Sequence, residues 1–156
     1  MKYDPYFHIV LHEPEIPNNT GNIGRTCVGM ESKLHLIKPY GFEITDKNLK
    51  RSGLDYWPHL ELEEHNNLAE WQQKLTKPDR VFYLSTKAKR SIFEVEFQRG
   101  DYFMFGKETK GLPEDLIHSN IEQAIKIPML GPIRSYNVAN TVSVVLFEAY
   151  RQIQAK

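Results

Sequence analysis

Short apolar runs alternate with amphipathic stretches along this chain. YFHIVLH (6–12) reads as a buried strand that Pro14 and Pro17 end. GNIGRTCVGM follows as a helix, with Asn18 or Thr20 as its cap. Leu34–Ile37 is a second short strand. DKNLKRSGL reads as a helix capped by Asp46 and stopped at Gly53. HLELEE, near Leu60, predicts a strand with alternating faces, and NNLAEWQQKL predicts a helix. RVFYLS (80–85) and Tyr102–Phe105 are strands. Pro113 opens a short helix, Ala124–Pro128 is a last strand, and Asn137–Gln154 is a long closing helix.

Strands that alternate with helices predict an α/β fold built on a mostly parallel sheet. Ligands of such sheets sit beyond the carboxyl ends of the strands. Three predicted strand ends run into polar or glycine-bearing turns: Leu84-Ser85-Thr86, Gly106-Lys107-Glu108 and Ile127-Pro128-Met129. The closing helix carries one apolar stripe through Val138, Val142, Val145, Leu146, Ala149 and Ile153. Val144 and Phe147 form a second apolar face, which further core or a second subunit would cover. The sequence reading favours a homodimer.

Composition changes this picture little. A chain of 156 residues with 40% hydrophobic and 26% charged residues is expected to form one domain, 1–156, with a real core. No apolar run reaches membrane-spanning length, and the N-terminal stretch has no signal-peptide cleavage pattern. A single cysteine, Cys27, predicts no internal disulfide and a cytoplasmic setting. Basic and acidic residues balance at 20 each, which argues against a protein that grips nucleic acid by net charge alone. Lys47, Lys50 and Arg51 make one local basic cluster, and Lys87, Lys89 and Arg90 make another.

The chemistry-bearing stretches are weak singly. NNTGNIGRTC has two glycines that permit close approach, but neither the dinucleotide fingerprint nor a phosphate loop. Its Arg25 alone reads as a surface residue. FGKETKGLP is good turn chemistry, with Glu108 solvated or facing a cation. In IPMLGPIRSYNVAN, Ser135 or Asn137 can cap the closing helix, yet capping does not account for Arg134 and Asn140 together with the preceding IPM. His8 and His12 share one strand face, but no third ligand stands at zinc-like spacing and there is no C-x-x-C. The sequence therefore predicts no metal site. It also lacks a G-x-S-x-G elbow and a kinase signature.

In order, however, N-x-T-G-N-I-G-R, F-G-x-E-x-x-G-L-P and I-P-M-x-x-x-x-R-S-Y-N-V-x-N, followed by a helical tail ending E-A-Y-R-Q, resemble the three motifs of the SPOUT methyltransferases. The resemblance spans Ile9 to Gln152. LHEPEIPNNTGNIGRTC, KRSGLDYW and the short length are most similar to the TrmL (YibK) branch. That branch transfers a methyl group from S-adenosylmethionine to the ribose 2'-hydroxyl of the wobble nucleotide in certain leucine tRNAs.

The resemblance implies a C-terminal deep trefoil knot, a dimer and a cofactor bent within the knot. It implies cofactor contacts from Leu84, from Gly106 (whose missing side chain would make room for the ligand), and from Ile127, Met129 and Ser135. It implies Arg25 near the methyl group as the catalytic residue. Asn18, Glu108, Arg134 and Asn140 match other polar motif positions. Lys50, Arg51, Arg134, Asn18 and the 87–90 cluster are candidates to hold tRNA. Phe147 stands where members of the branch often carry tyrosine. The alternatives are a SPOUT enzyme acting on another tRNA or ribosomal RNA position, and a non-catalytic RNA-binding protein on the same fold. An unrelated nucleotide-binding α/β protein is disfavoured by the missing phosphate loop.

Overall fold

A computed structural model describes residues 2–45 and 54–155. Among these residues, seven parallel strands form one sheet: β1 (His8–His12), β2 (Lys33–Ile37), β3 (Leu62–His65), β4 (Val81–Leu84), β5 (Arg90–Ser91), β6 (Tyr102–Phe105) and β7 (Ala124–Lys126). Their order across the sheet is β3-β2-β1-β6-β4-β7-β5. Among the described residues, four α-helices accompany them: α1 (Pro17–Gly29), α2 (Leu68–Lys74), α3 (Glu114–Ser119) and α4 (Val138–Gln154). The helix predicted over DKNLKRSGL, with its Asp46 cap, lies largely outside the described residues.

A parallel sheet covered on both faces needs strands that are apolar on both sides. β1 and β6 meet this need. Ile9, Leu11, Phe103 and Phe105 point into one core with α1 and α4, while Val10 and Met104 point into the other with Trp71 and Ile117. The period-2 alternation thus divides each strand between two cores. Cys27 is buried and unpaired in the first of them. Asp101 is buried at the foot of β6, where the Arg80 guanidinium binds it at 2.7 and 2.8 Å. This bidentate pair satisfies a charge that would otherwise be costly to bury.

Two helix starts differ from expectation. α1 begins at Pro17, one residue before Asn18 and three before Thr20, the predicted polar caps, and its N-cap Ile16 makes no side-chain bond. Asn19 and Thr20 are buried inside the helix, and a carboxylate distant in sequence satisfies the backbone just before it. α4 follows the pattern more closely: Asn137 Oδ1 accepts from the N–H groups of Ala139 and Asn140 at 2.9 and 3.2 Å. Its buried stripe is Val142, Val145, Leu146 and Ala149. Val144 and Phe147, at 45% and 58% exposure, form the open second face with Tyr150.

β4 and β5 are consecutive, yet β7 lies between them. Leu84 and Arg90 both pair with Ile125. Residues 85–89 therefore cross β7 on one face, where Ala88 joins the second core. The chain then returns across the other face through Ile92, Val95 and Phe97, which belong to the first core. β7 is thus held inside a loop formed earlier in the chain. The end of α4 is tied to that loop, because Gln152 accepts from Phe97 N–H at 2.9 Å and donates to the Val95 carbonyl at 3.0 Å.

Candidate functional site

The carboxyl ends of β4, β6 and β7 lie side by side because β4 pairs with both other strands. Beyond them is a cavity of about 440 Å³, within the size range of small-ligand sites. Leu84 closes β4, Gly106 follows β6, and Ile127 follows β7. Met129 and Ser135 come from the next turn, and all five residues line the cavity. The Tyr136 hydroxyl closes that turn by donating to the Pro128 carbonyl at 2.7 Å.

Gly106 has a different reason from the one expected. A Cβ there would lie 2.0 Å from Gly111 C and 2.1 Å from Leu112 N. The missing side chain makes room for the protein's own backbone, which folds back with Gly111 in the left-handed region at φ +71°. The fold-back carries Glu108 toward α1.

Glu108 is the hub of the site. Its two oxygens accept from the backbone N–H groups of Glu15 and Ile16, each at 2.9 Å. Asn19 Nδ2 adds a third bond at 3.1 Å. Asn19 Oδ1 in turn accepts from Asn137 Nδ2 at 3.1 Å. One hydrogen-bonded line therefore runs from the turn after β6, through the start of α1, to the start of α4. Glu15 ties the same surfaces in reverse: its carboxylate accepts from the N–H and hydroxyl of Thr109 at 3.0 and 2.8 Å. Those bonds hold its pKa below the usual carboxylate range. The sequence reading named Glu108 without this role and passed over Asn19. Asn137 caps α4 and joins it to α1 through Asn19, and Asn140 contributes its backbone N–H to that cap.

Of the remaining candidates, Lys87 lines the cavity, whereas Arg25, Asn18 and Arg134 do not. Arg25 is exposed on α1, beyond Gly24, where the helix packs on Tyr56, Trp57 and Leu60. Asn18 and Arg134 are also exposed. Lys50 and Arg51 fall outside the described residues, as does Lys47. The other basic cluster is engaged within the chain: Lys87 pairs with Glu114, and the Arg90 guanidinium donates to the Glu122 carbonyl.

The profile of the SpoU rRNA Methylase family matches residues 6–147. A tRNA (cytidine(34)-2'-O)-methyltransferase of Escherichia coli strain K12 is 46% identical over 147 residues, covering 94% of this chain and 93% of its own. A solved structure concerned with 2-OH methylation of C/U34 on tRNA superposes with a TM-score of 0.91 at 45% identity, covering 96% of this chain and 97% of that one. The SpoU methyltransferase AviRb of Streptomyces viridochromogenes, solved with the cofactor AdoMet, has a TM-score of 0.85 at 20% identity over 98% of this chain and 60% of its own. At that identity it shows a shared fold.

Proposed function

The chain belongs to the SpoU rRNA methylase family, and from that premise we propose that it transfers a methyl group from S-adenosylmethionine to the ribose 2'-hydroxyl of the wobble nucleotide, cytidine or carboxymethylaminomethyluridine 34, of leucine tRNAs. The observation that carries this reading is the convergence of Leu84, Gly106, Ile127, Met129 and Ser135 on one cavity at the strand ends. Apolar Leu84, Ile127 and Met129 suit the flat face of an adenine, and the backbone of the 127–135 turn suits its polar edge. The donor supplies a methyl group on a positively charged sulfur, open to in-line displacement.

The chain's own residues then hold, orient and stabilise. The Glu108–Asn19–Asn137 line fixes the walls of the cavity, so that the ribose oxygen is aligned with the methyl carbon. Such alignment can be worth up to about 10 kcal/mol. Arg25 faces outward, where an RNA would meet it. A guanidinium keeps its proton in proteins and is a poor base. Its part is to stabilise the developing alkoxide and hold a phosphate, while water or the RNA accepts the proton. Asn18, Arg134, Lys50 and Arg51 extend the surface offered to tRNA.

Two architectural readings accompany the function. The passage of β7 through the 84–102 loop supports a deep trefoil knot, which is rare among folds. The open apolar face of α4 supports a homodimer.

The test is methyl transfer from labelled S-adenosylmethionine to tRNA from cells lacking wobble ribose methylation, followed by nucleoside mapping. Label on the position-34 ribose of leucine tRNA is expected. Label at another position would replace the substrate and keep the reaction class. Cofactor binding without any transfer would favour the non-catalytic reading.

A further inference from the structure

The first three strands carry a row of imidazoles. β1, β2 and β3 are parallel, with His8 beside Lys33 and His35 beside Glu63. The row climbs two residues per strand, so His8, His35 and His65 share one face. His8 Nδ1 lies 2.9 Å from His35 Nε2, and His35 Nδ1 lies 3.1 Å from His65 Nε2. His65 is 1% exposed, yet its Nδ1 has no hydrogen-bond partner. A buried polar atom left without a partner is destabilising. Glu63 Oε2 is 3.8 Å from that nitrogen, too far for a hydrogen bond. One ligand-capable atom from each of His35, Glu63 and His65 falls within 4.8 Å of the others. The three border a cavity of about 260 Å³ that shares no lining residue with the larger one.

We propose that His35, Glu63 and His65 bind a divalent transition-metal ion of the zinc class, with His8 orienting His35. Two imidazoles and a carboxylate are a donor set suited to such ions. Ligand atoms on one tetrahedral zinc stand roughly 3.3 Å apart; the 3.1 Å between His35 Nδ1 and His65 Nε2 is close to this, and one atom from each of the three residues already lies within 4.8 Å of the others. If His35 donates its Nε2–H to His8 Nδ1, its Nδ1 lone pair is left for the metal. This is the usual way an outer partner fixes a ligand's tautomer. The Tyr102 ring stacks on His8 at 4.0 Å and holds it in place. Burial keeps His35 and His65 below the ordinary histidine range, in the neutral form a metal takes.

Two cations face the site. Lys33 and Lys74 bind Glu63 at 2.8 and 3.2 Å, and Glu70 also draws Lys74, at 3.5 Å. Metal entry transfers Lys74, which is half exposed, to Glu70 and shares the Glu63 carboxylate with the ion. Water from the cavity takes the remaining position. Because all three ligands lie on β2 and β3, the ion clips the edge strand to the sheet, without a part in methyl transfer.

The experiment titrates untagged, metal-stripped full chain with Co²⁺ and then Zn²⁺. We expect one Co²⁺ per chain, visible bands of a four-coordinate nitrogen–oxygen site, their loss on adding Zn²⁺, and a thermal unfolding midpoint that rises with metal. His65→Gln should abolish the bands, and Glu63→Gln should weaken binding at least tenfold, with far-ultraviolet dichroism unchanged. His8→Phe should weaken it 10–100-fold. His118→Gln should leave it intact. Absence of stoichiometric Co²⁺ binding would overturn the proposal, as would binding that survives Glu63→Gln at full affinity. Glu63 is one-third exposed, so its variant decides the matter even if His65→Gln fails to fold.

Discussion

Arg25 stands on the exposed side of α1, outside the cavity that its helix helps to wall. Its proposed work depends on the planar fork of the guanidinium, which lysine lacks. Arg25→Lys should therefore lower kcat about 100-fold or more and leave S-adenosylmethionine affinity unchanged, as single-turnover kinetics and calorimetry would report. Full activity in Arg25→Lys would remove the bidentate role. At this scale the sequence was informative where a residue's position on a strand gives its address. Leu84, Gly106 and Ile127 end strands, so pattern and motif together put them near one another. Glu108 shows the limit. Its partners, Glu15 and Ile16, are more than ninety residues away, and they offer backbone N–H groups that no side-chain pattern announces. The imidazole row was hidden for a related reason, because His35 and His65 enter it through strand register rather than spacing along one segment.

Between elements, Glu108 replaces the local cap that α1 lacks. Glu108→Ala removes three bonds accepted by a carboxylate and leaves two backbone N–H groups just before α1 without their acceptor. A loss of about 2–3 kcal/mol is expected, read as a lower urea midpoint at constant slope, together with weaker cofactor binding. A midpoint equal to wild type would separate the site from this line of bonds. The end of α4 carries a second tie. Bonds from Arg151 and from Gln152 hold Glu148 below the usual carboxylate range. A depressed carboxyl adds stability above its unfolded-state pKa, and that stability disappears as pH falls through the lower folded value. Glu148→Gln should flatten this part of the acid limb of stability against pH and leave the neutral-to-alkaline limb unchanged. Most elements were legible to within one or two residues, since buried parallel strands are continuous apolar runs. β5 was not. Its two residues, Arg90 and Ser91, have no apolar signal and are a strand only because β7 pairs with them.

At the scale of the molecule, the open face of α4 is the proposed dimer surface. A charge at its centre cannot be buried without a partner. Phe147→Glu should convert the proposed dimer to monomer in sedimentation equilibrium and reduce methyl transfer, with dichroism unchanged. A wild-type chain that sediments as a monomer would refute the dimer outright. The alternation of strands and helices made the sheet legible, but not the place of β7, since consecutive strands usually neighbour one another and threaded connections are rarely seen. That place constrains how the molecule is made. β7 and α4 follow residues 84–102 in the chain, and a ribosome releases them later. By then residues 84–102 are available to form the ring around the position β7 will occupy. In the proposed knot this later-made segment must be drawn through an opening, and Gln152 ties it to the Val95–Phe97 stretch of the ring. A degradation machine that pulls from the C-terminus meets the reverse problem: it must drag that segment back through the ring, or tighten the ring around it.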